Sequence, residues 1–148
     1  MIYVKLIGQL GNQMFIYAAA KAVQKQIGGG EIVFETRSLV HSGFKNSLAD
    51  YRLDTDIAFC DEGFIKNLGF PQKLVTLFYL KRIEGMSNRQ RFEFAKKYCK
   101  LFNFFGMIIC PDGYIEQKIR RKNIAMIGYF QSETWFTNVK RELRRQFI

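Results

Sequence analysis

Residues Ile7-Gly8-Gln9-Leu10-Gly11-Asn12-Gln13-Met14-Phe15-Ile16-Tyr17 constrain the fold more than any other stretch, because two different periods meet there. Upstream, Met1 to Ile7 is a short, β-rich and nearly uncharged run. Downstream, Gln13 to Ile27 places Met14, Phe15, Ala18, Ala22 and Val23 at the spacing of one helix face. Gly8 and Gly11 lie between the two patterns, followed by Asn12. Glycine tolerates positive φ and lets other atoms come close to the backbone. Asn12 is expected to accept a hydrogen bond from one of the free N–H groups that open the helix. Such a turn aims unpaired donors and a partial positive charge at the space above it, which suits a phosphate or a sugar hydroxyl. The same turn also serves a fold with no ligand. Its spacing is neither Gly-x-Gly-x-x-Gly nor a phosphate loop ending in Lys-Ser/Thr.

The rest of the chain continues this pattern. Gly28-Gly29-Gly30 terminates the first helix, and Glu31–Glu35 reads as a second strand, parallel to the first through a right-handed crossover. Glu35 falls where some nucleotide-binding sheets hold a ribose; with no matching fingerprint it is expected to be a surface carboxylate. Residues 36–71 are turn-rich, with short elements around Tyr51–Phe59, and Pro71 opens an apolar helix through Leu80. Ser87-Asn88-Arg89-Gln90 has the form of a capping box. The helix behind it carries Phe94, Tyr98, Leu101, Phe102 and Phe105 on one face. Met107–Cys110 and Ala125–Phe130 read as strands, separated by a turn at Pro111-Asp112-Gly113. Ser132 is placed to cap a last helix with Trp135, Phe136, Val139, Leu143 and Phe147 inward. The expected fold is a single α/β domain over residues 1–148, Rossmann-like, with a largely parallel sheet and helices on both faces.

Composition narrows the function. The apolar run Leu74 to Leu80, with Thr76 inside it, is far short of the ~20 residues of a membrane helix. The first residues read as a strand rather than a secretory signal. Cys60, Cys99 and Cys110 are scattered and odd in number, which predicts buried thiols in a reducing compartment and a cytoplasmic protein. The net charge of +10 falls almost wholly after residue 75, where 15 Lys/Arg face 6 Asp/Glu. That field favours an anionic partner: a nucleotide-sugar diphosphate, anionic lipid headgroups or nucleic acid. The aromatic residues sit mostly at helical spacing and no nucleic-acid motif is present, so nucleic acid is not expected. His41 is alone in a Ser/Gly-flanked loop, with no partner set for zinc or for a nucleophilic triad.

Gly8-Gln9-Leu10-Gly11-Asn12-Gln13-Met14-Phe15, with Tyr17 and Ala18 following, resembles the amino-terminal signature of the α-1,2-fucosyltransferases of glycosyltransferase family 11. The chain departs from it at Gln9 and Ile16. Gly128-Tyr129-Phe130-Gln131-Ser132-Glu133-Thr134-Trp135-Phe136 resembles a second block of that family, and Tyr51-Arg52-Leu53-Asp54 fits the segment between. The resemblance implies transfer of L-fucose from GDP-fucose to a galactoside hydroxyl, with inversion and without a metal or other cofactor. It places Gly8, Leu10, Gly11, Asn12 and Gln13 on the floor of a sugar cleft, with Asn12 as a hydrogen-bonding orienter. Gln131, Ser132 and Glu133 form the second block, in which the Ser-Glu pair equally suits a helix cap. The family's donor motif, His-x-Arg-Arg-Gly-Asp, has no counterpart here: neither Arg120-Arg121 nor Arg144-Arg145 has the flanking residues. The expectation is therefore the amino-terminal half of a GT-B-like enzyme lacking its donor-binding carboxy-terminal domain and inactive alone. Peripheral contact with the inner face of a membrane is part of that expectation. The alternative is a non-catalytic glycan-binding or partner-docking module built from the same domain.

Overall fold

Strands buried on both faces read as unbroken apolar runs, and that is what the centre of this protein contains. The structure, a computed structural model, describes residues 1–147. The strands β1 (Ile2–Lys5), β2 (Ile32–Glu35), β3 (Ile57–Cys60), β4 (Met107–Cys110) and β5 (Ile124–Gly128) form one sheet in the order β3-β2-β1-β5-β4. Every pairing is parallel. The helices are α1 (Leu10–Ile27), α2 (Arg37–His41), α3 (Phe70–Arg82), α4 (Asn88–Lys97), α5 (Cys99–Phe104) and α6 (Lys140–Phe147). This is the expected Rossmann-like α/β architecture, with helices on both faces of the sheet.

Topology decides which face each connection covers. The steps β1 to β2, β2 to β3 and β4 to β5 all move the same way across the sheet, so crossovers of one hand put their connections on one side. Accordingly α1 packs against the 3₁₀ turn Ser47–Asp50, and the start of the helix-free segment 111–123 joins that side by accepting Trp135 Nε1 on the Gly113 carbonyl at 2.8 Å, while its later part lies along α5 through Lys118 and Arg121. The step from β3 to β4 runs the opposite way, and α3, α4 and α5 lie on the other face. Val4 and Phe34 are register neighbours under α1, where Phe34 stacks on Tyr17 at 5.9 Å. Tyr3 points to the α3 side and stacks on Phe64 at 5.1 Å.

Several boundaries differ from the sequence reading, each for a local reason. Helix α1 starts at Leu10, a turn earlier than Gln13, because Gly8 at φ 79° reverses the chain and extended Gln9 delivers it directly into the helix. It ends as expected: Gly28 at φ 87° and the bonds from Gly28 and Gly29 N–H to Lys25 and Gln24 carbonyls form a Schellman stop. Strand β3 is an edge strand hidden in sequence by the polar turns on either side. The Ser87 capping box forms with both arms, Gln90 N–H to Ser87 Oγ at 3.3 Å and Ser87 N–H to Gln90 Oε1 at 2.8 Å. The helix after it breaks at Tyr98 (φ −100°, ψ 12°), which separates α4 from α5 and leaves Leu101 exposed rather than in the core. The last helix is likewise divided into a 3₁₀ segment, Glu133–Val139, and α6, with non-helical Phe136 inside the first part.

Three side-chain expectations are corrected as well. Glu35 is fully buried, its carboxylate accepting the Ser38 N–H at 3.2 Å and hydroxyl at 3.0 Å, so it is no surface carboxylate. Cys110 is buried, but Cys60 and Cys99 are only half-buried; all three are free thiols. His41 closes α2 rather than lying in a loop. Among the described residues, no helix is long and apolar enough to cross a membrane.

Candidate functional site

The two sequence blocks that follow β1 and β5 meet at the carboxyl edge of the sheet, because those strands are neighbours. After β1 the chain turns at Gly8, whose conformation no other residue adopts easily. A Cβ on Gly8 would overlap the Asn12 side chain, which lies directly over it. Helix α1 then begins with no side-chain cap and no acidic residue in its first turn, so its positive end faces outward uncompensated by the chain. Leu10 and Gly11 are exposed there, and a Cβ on Gly11 would meet nothing.

Asn12 is not the helix cap. It sits in the first turn of α1, and its Oδ1 accepts a hydrogen bond from Gln131 Nε2 at 2.6 Å, across 119 positions of sequence. The second block is bent to make this bond. Gly128 at φ 143° has the Cys110 backbone so close that a Cβ would collide with its carbonyl. Two residues later Phe130 holds φ 54°, a conformation that costs a bulky residue about 1–3 kcal/mol. Its fully buried ring, set edge-on to Trp135 at 5.0 Å, fixes it there. Ser132 N–H then closes onto the Phe130 carbonyl at 2.9 Å, turning Gln131 outward toward Asn12.

The remaining candidates separate from this pair. Gln13 is fully buried and its amide is used within the protein: Nε2 donates to the Gly8 and Lys45 carbonyls at 2.9 Å each, and Oε1 accepts Ser47 N–H at 3.0 Å. It holds the crook from beneath. Ser132 caps the 3₁₀ segment by accepting Thr134 N–H at 3.3 Å. Glu133 is exposed and pairs with Lys140 at 3.2 Å. The structure thus brings Gly8, Leu10, Gly11, Asn12 and Gln131 to one surface, and gives Gln13, Ser132 and Glu133 supporting positions around it. Beside Gly11 an open apolar groove of about 400 Å³ runs between Met14, Phe15 and Ala18 of α1 and Phe136, Leu143 and Phe147.

The middle block is structural. Asp54 pairs at 2.7 Å with Lys21, a lysine buried on α1 that also donates to Gln24 Oε1 at 2.7 Å. Tyr51 meets Phe147 edge-on at 5.0 Å. A further polar cluster lies on the α3 side of the same sheet edge, and the sequence reading had no signal for it. There Tyr3 donates to the Gly63 carbonyl at 3.1 Å and accepts from Asn67 Nδ2, which also reaches Cys60 Sγ at 3.6 Å. Burial pushes the Tyr3 phenol up to about 12, so it stays a neutral donor. Among the described residues no three His, Cys, Asp or Glu side chains converge as a metal site would need. No protein-family model matches the chain, and no curated protein or solved structure matches it either.

Proposed function

We propose that the chain is a sugar-handling domain of the α-1,2-fucosyltransferase type, presenting a galactoside hydroxyl to GDP-fucose at the carboxyl edge of its sheet. One observation carries the reading: the Asn12–Gln131 hydrogen bond joins the two blocks on which the family resemblance rests. That bond uses Asn12 Oδ1 and Gln131 Nε2. It leaves Asn12 Nδ2 as a donor and Gln131 Oε1 as an acceptor without protein partners among the described residues. A sugar hydroxyl both donates and accepts, so two adjacent amides of this kind suit it. The location agrees with the general rule that open parallel sheets bind ligands beyond the carboxyl ends of their strands.

In the proposed transfer the oxygen of the acceptor hydroxyl bonds to the anomeric carbon of fucose, the bond to the diphosphate breaks so that GDP leaves with its electron pair, and the hydroxyl proton passes to water. The departing charge needs cations. The His-x-Arg-Arg-Gly-Asp motif that supplies them in the family has no counterpart in these 148 residues, so on this reading these residues bind acceptor but release little GDP. A non-catalytic glycan-binding module is the second reading. It is favoured by the amide character of the crook and by the pairing of Glu133, the carboxylate of the second block, with Lys140.

Titration with lactose, alongside GDP release from GDP-fucose plus lactose, tests both readings. Lactose is expected to bind the unmodified chain. In Asn12→Ala the affinity falls by roughly tenfold, while stability changes by only about 0.5–1.5 kcal/mol, the worth of one hydrogen bond. Lactose binding that is unchanged in Asn12→Ala, or absent from the unmodified chain at millimolar sugar, sinks the sugar assignment. Rapid GDP release by these residues would instead overturn the claim that they lack the diphosphate's cations.

A further inference from the structure

Helix α3 has two apolar faces, and the protein uses only one of them. Thr76 and Tyr79 point inward and are buried. On the opposite side Phe70, Leu74, Leu77 and Phe78, one turn apart in sequence, face outward. Helix α3 runs antiparallel to α5: Gln72 near its start reaches the Gly106 carbonyl just after α5, at 3.1 Å, and Phe78 near its end meets Tyr98, just before α5, at 6.4 Å. The outward side chains of α5, Leu101 and Phe104, therefore share this side of the molecule. These six apolar residues are between 42% and 74% exposed, more than scattered surface hydrophobics require.

The charge around them is mainly positive, with Glu84 and Glu93 the only acidic residues of segment 70–104. Neither α3 nor α5 contains an acidic residue. Lys100, Lys118, Arg120 and Arg121 line a recess of about 660 Å³ around Phe104, and none of the four forms an ion pair among the described residues. Cations also lie over the rings of the patch: Arg121 at 5.5 Å from Phe104 and Arg82 at 6.0 Å from Phe78. Long basic side chains beside exposed rings and leucines place positive heads at the rim of an apolar surface.

We propose that the outer face of α3 and α5 docks on an anionic lipid bilayer, its apolar side chains entering the interface and its cations meeting the headgroup phosphates. Charge selects this occupant. A second copy of the chain would bring the same cations against each other. Nucleic acid would meet the cations but give Leu74, Leu77 and Leu101 nothing apolar to enter. The helix lies in the interface and does not cross it. Because α1 is on the opposite side of the sheet, docking leaves the Asn12–Gln131 crook open to solvent. The inference does not depend on the sugar assignment.

Flotation of the full chain with vesicles tests it. Binding is expected to equal mixtures of phosphatidylcholine and phosphatidylglycerol, and not to phosphatidylcholine alone. The surface variant Leu74→Ser/Leu77→Ser and the charge variant Lys100→Glu/Lys118→Glu should each lower partitioning by about tenfold or more. All four side chains are exposed, so the fold survives; unchanged circular dichroism checks this. No binding to the anionic vesicles, equal binding to neutral ones, or binding that ignores either variant overturns the proposal. So does a dimer in sedimentation equilibrium that dissociates in Leu74→Ser/Leu77→Ser, which would make the face a contact between copies. Duplex DNA bound more tightly than the vesicles, with the leucine variant unaffected, would also refute it.

Discussion

The carboxyl edge of the sheet and the outer face of α3 and α5 are built on opposite principles. At the edge nearly every group is used twice: Gly8 turns the chain and makes room for Asn12, while Gln13 ties together three backbone groups from two segments. The backbone there includes left-handed Phe130 and a Gly128 that excludes any side chain. The outer face is regular helix, with side chains that are largely exposed. One surface is organised by contacts inside the chain, and the other keeps six apolar side chains 42–74% exposed, of which Phe78 and Phe104 have ring contacts within the protein. Sites that must hold a geometry resemble the first kind, whereas surfaces that meet something large and soft resemble the second.

Substitution at the edge should therefore damage the fold far more than substitution on the outer face. The largest effect is expected at Gly128. A methyl group there would occupy the position of the Cys110 carbonyl on the neighbouring strand β4, whose residues are all buried. Gly128→Ala is expected to lose about 3–4 kcal/mol, read as a fall in the urea midpoint at unchanged slope. A loss under about 1 kcal/mol would show that β4 and β5 yield, and that the edge is softer than its contacts imply. Gln13→Ala comes next. It strands the Gly8 and Lys45 carbonyls and the Ser47 N–H in a buried place, at about 1–3 kcal/mol for each group that water cannot reach. A total near 2–4 kcal/mol is expected, together with faster amide exchange at Ser47 than in the unmodified protein. Exchange at Ser47 that stays slow would mean that the crook does not depend on this glutamine.

How much of this was legible in the sequence follows from the range of the forces involved. The α1 stop at Gly28 and the Ser87 capping box were readable because their partners lie within a few residues, and both formed as written. The central strands were readable because two-sided burial leaves a continuous apolar run. Asn12 was misplaced as a cap for the opposite reason: its partner is Gln131, and a helix N-terminus in sequence gives no sign of a neighbour from the far end of the chain. Gln13 is tied down by Lys45 and Ser47, more than thirty positions away. Glu35 is buried in the sheet with only nearby Ser38 as its side-chain partner among the described residues, although its charge alone assigns it to the surface. The break at Tyr98 was missed because the aromatic spacing continues through it, so Leu101 looked like core.

Leu77 marks the small end of the comparison. It is exposed on the outward side of α3, so Leu77→Ser leaves no cavity behind, and the chief cost is the lower helix propensity of serine, a few tenths of a kcal/mol. Its urea midpoint should stay within about 0.5 kcal/mol of the unmodified protein, at every protein concentration tested. The residue is as apolar as the core leucines, so only its lack of internal contacts predicts this tolerance. A loss above about 2 kcal/mol would mean that Leu77 is packed in solution. If that loss also grew with protein concentration, the packing partner would be another copy of the chain, and the outer face would belong with the edge as a surface organised by protein contacts.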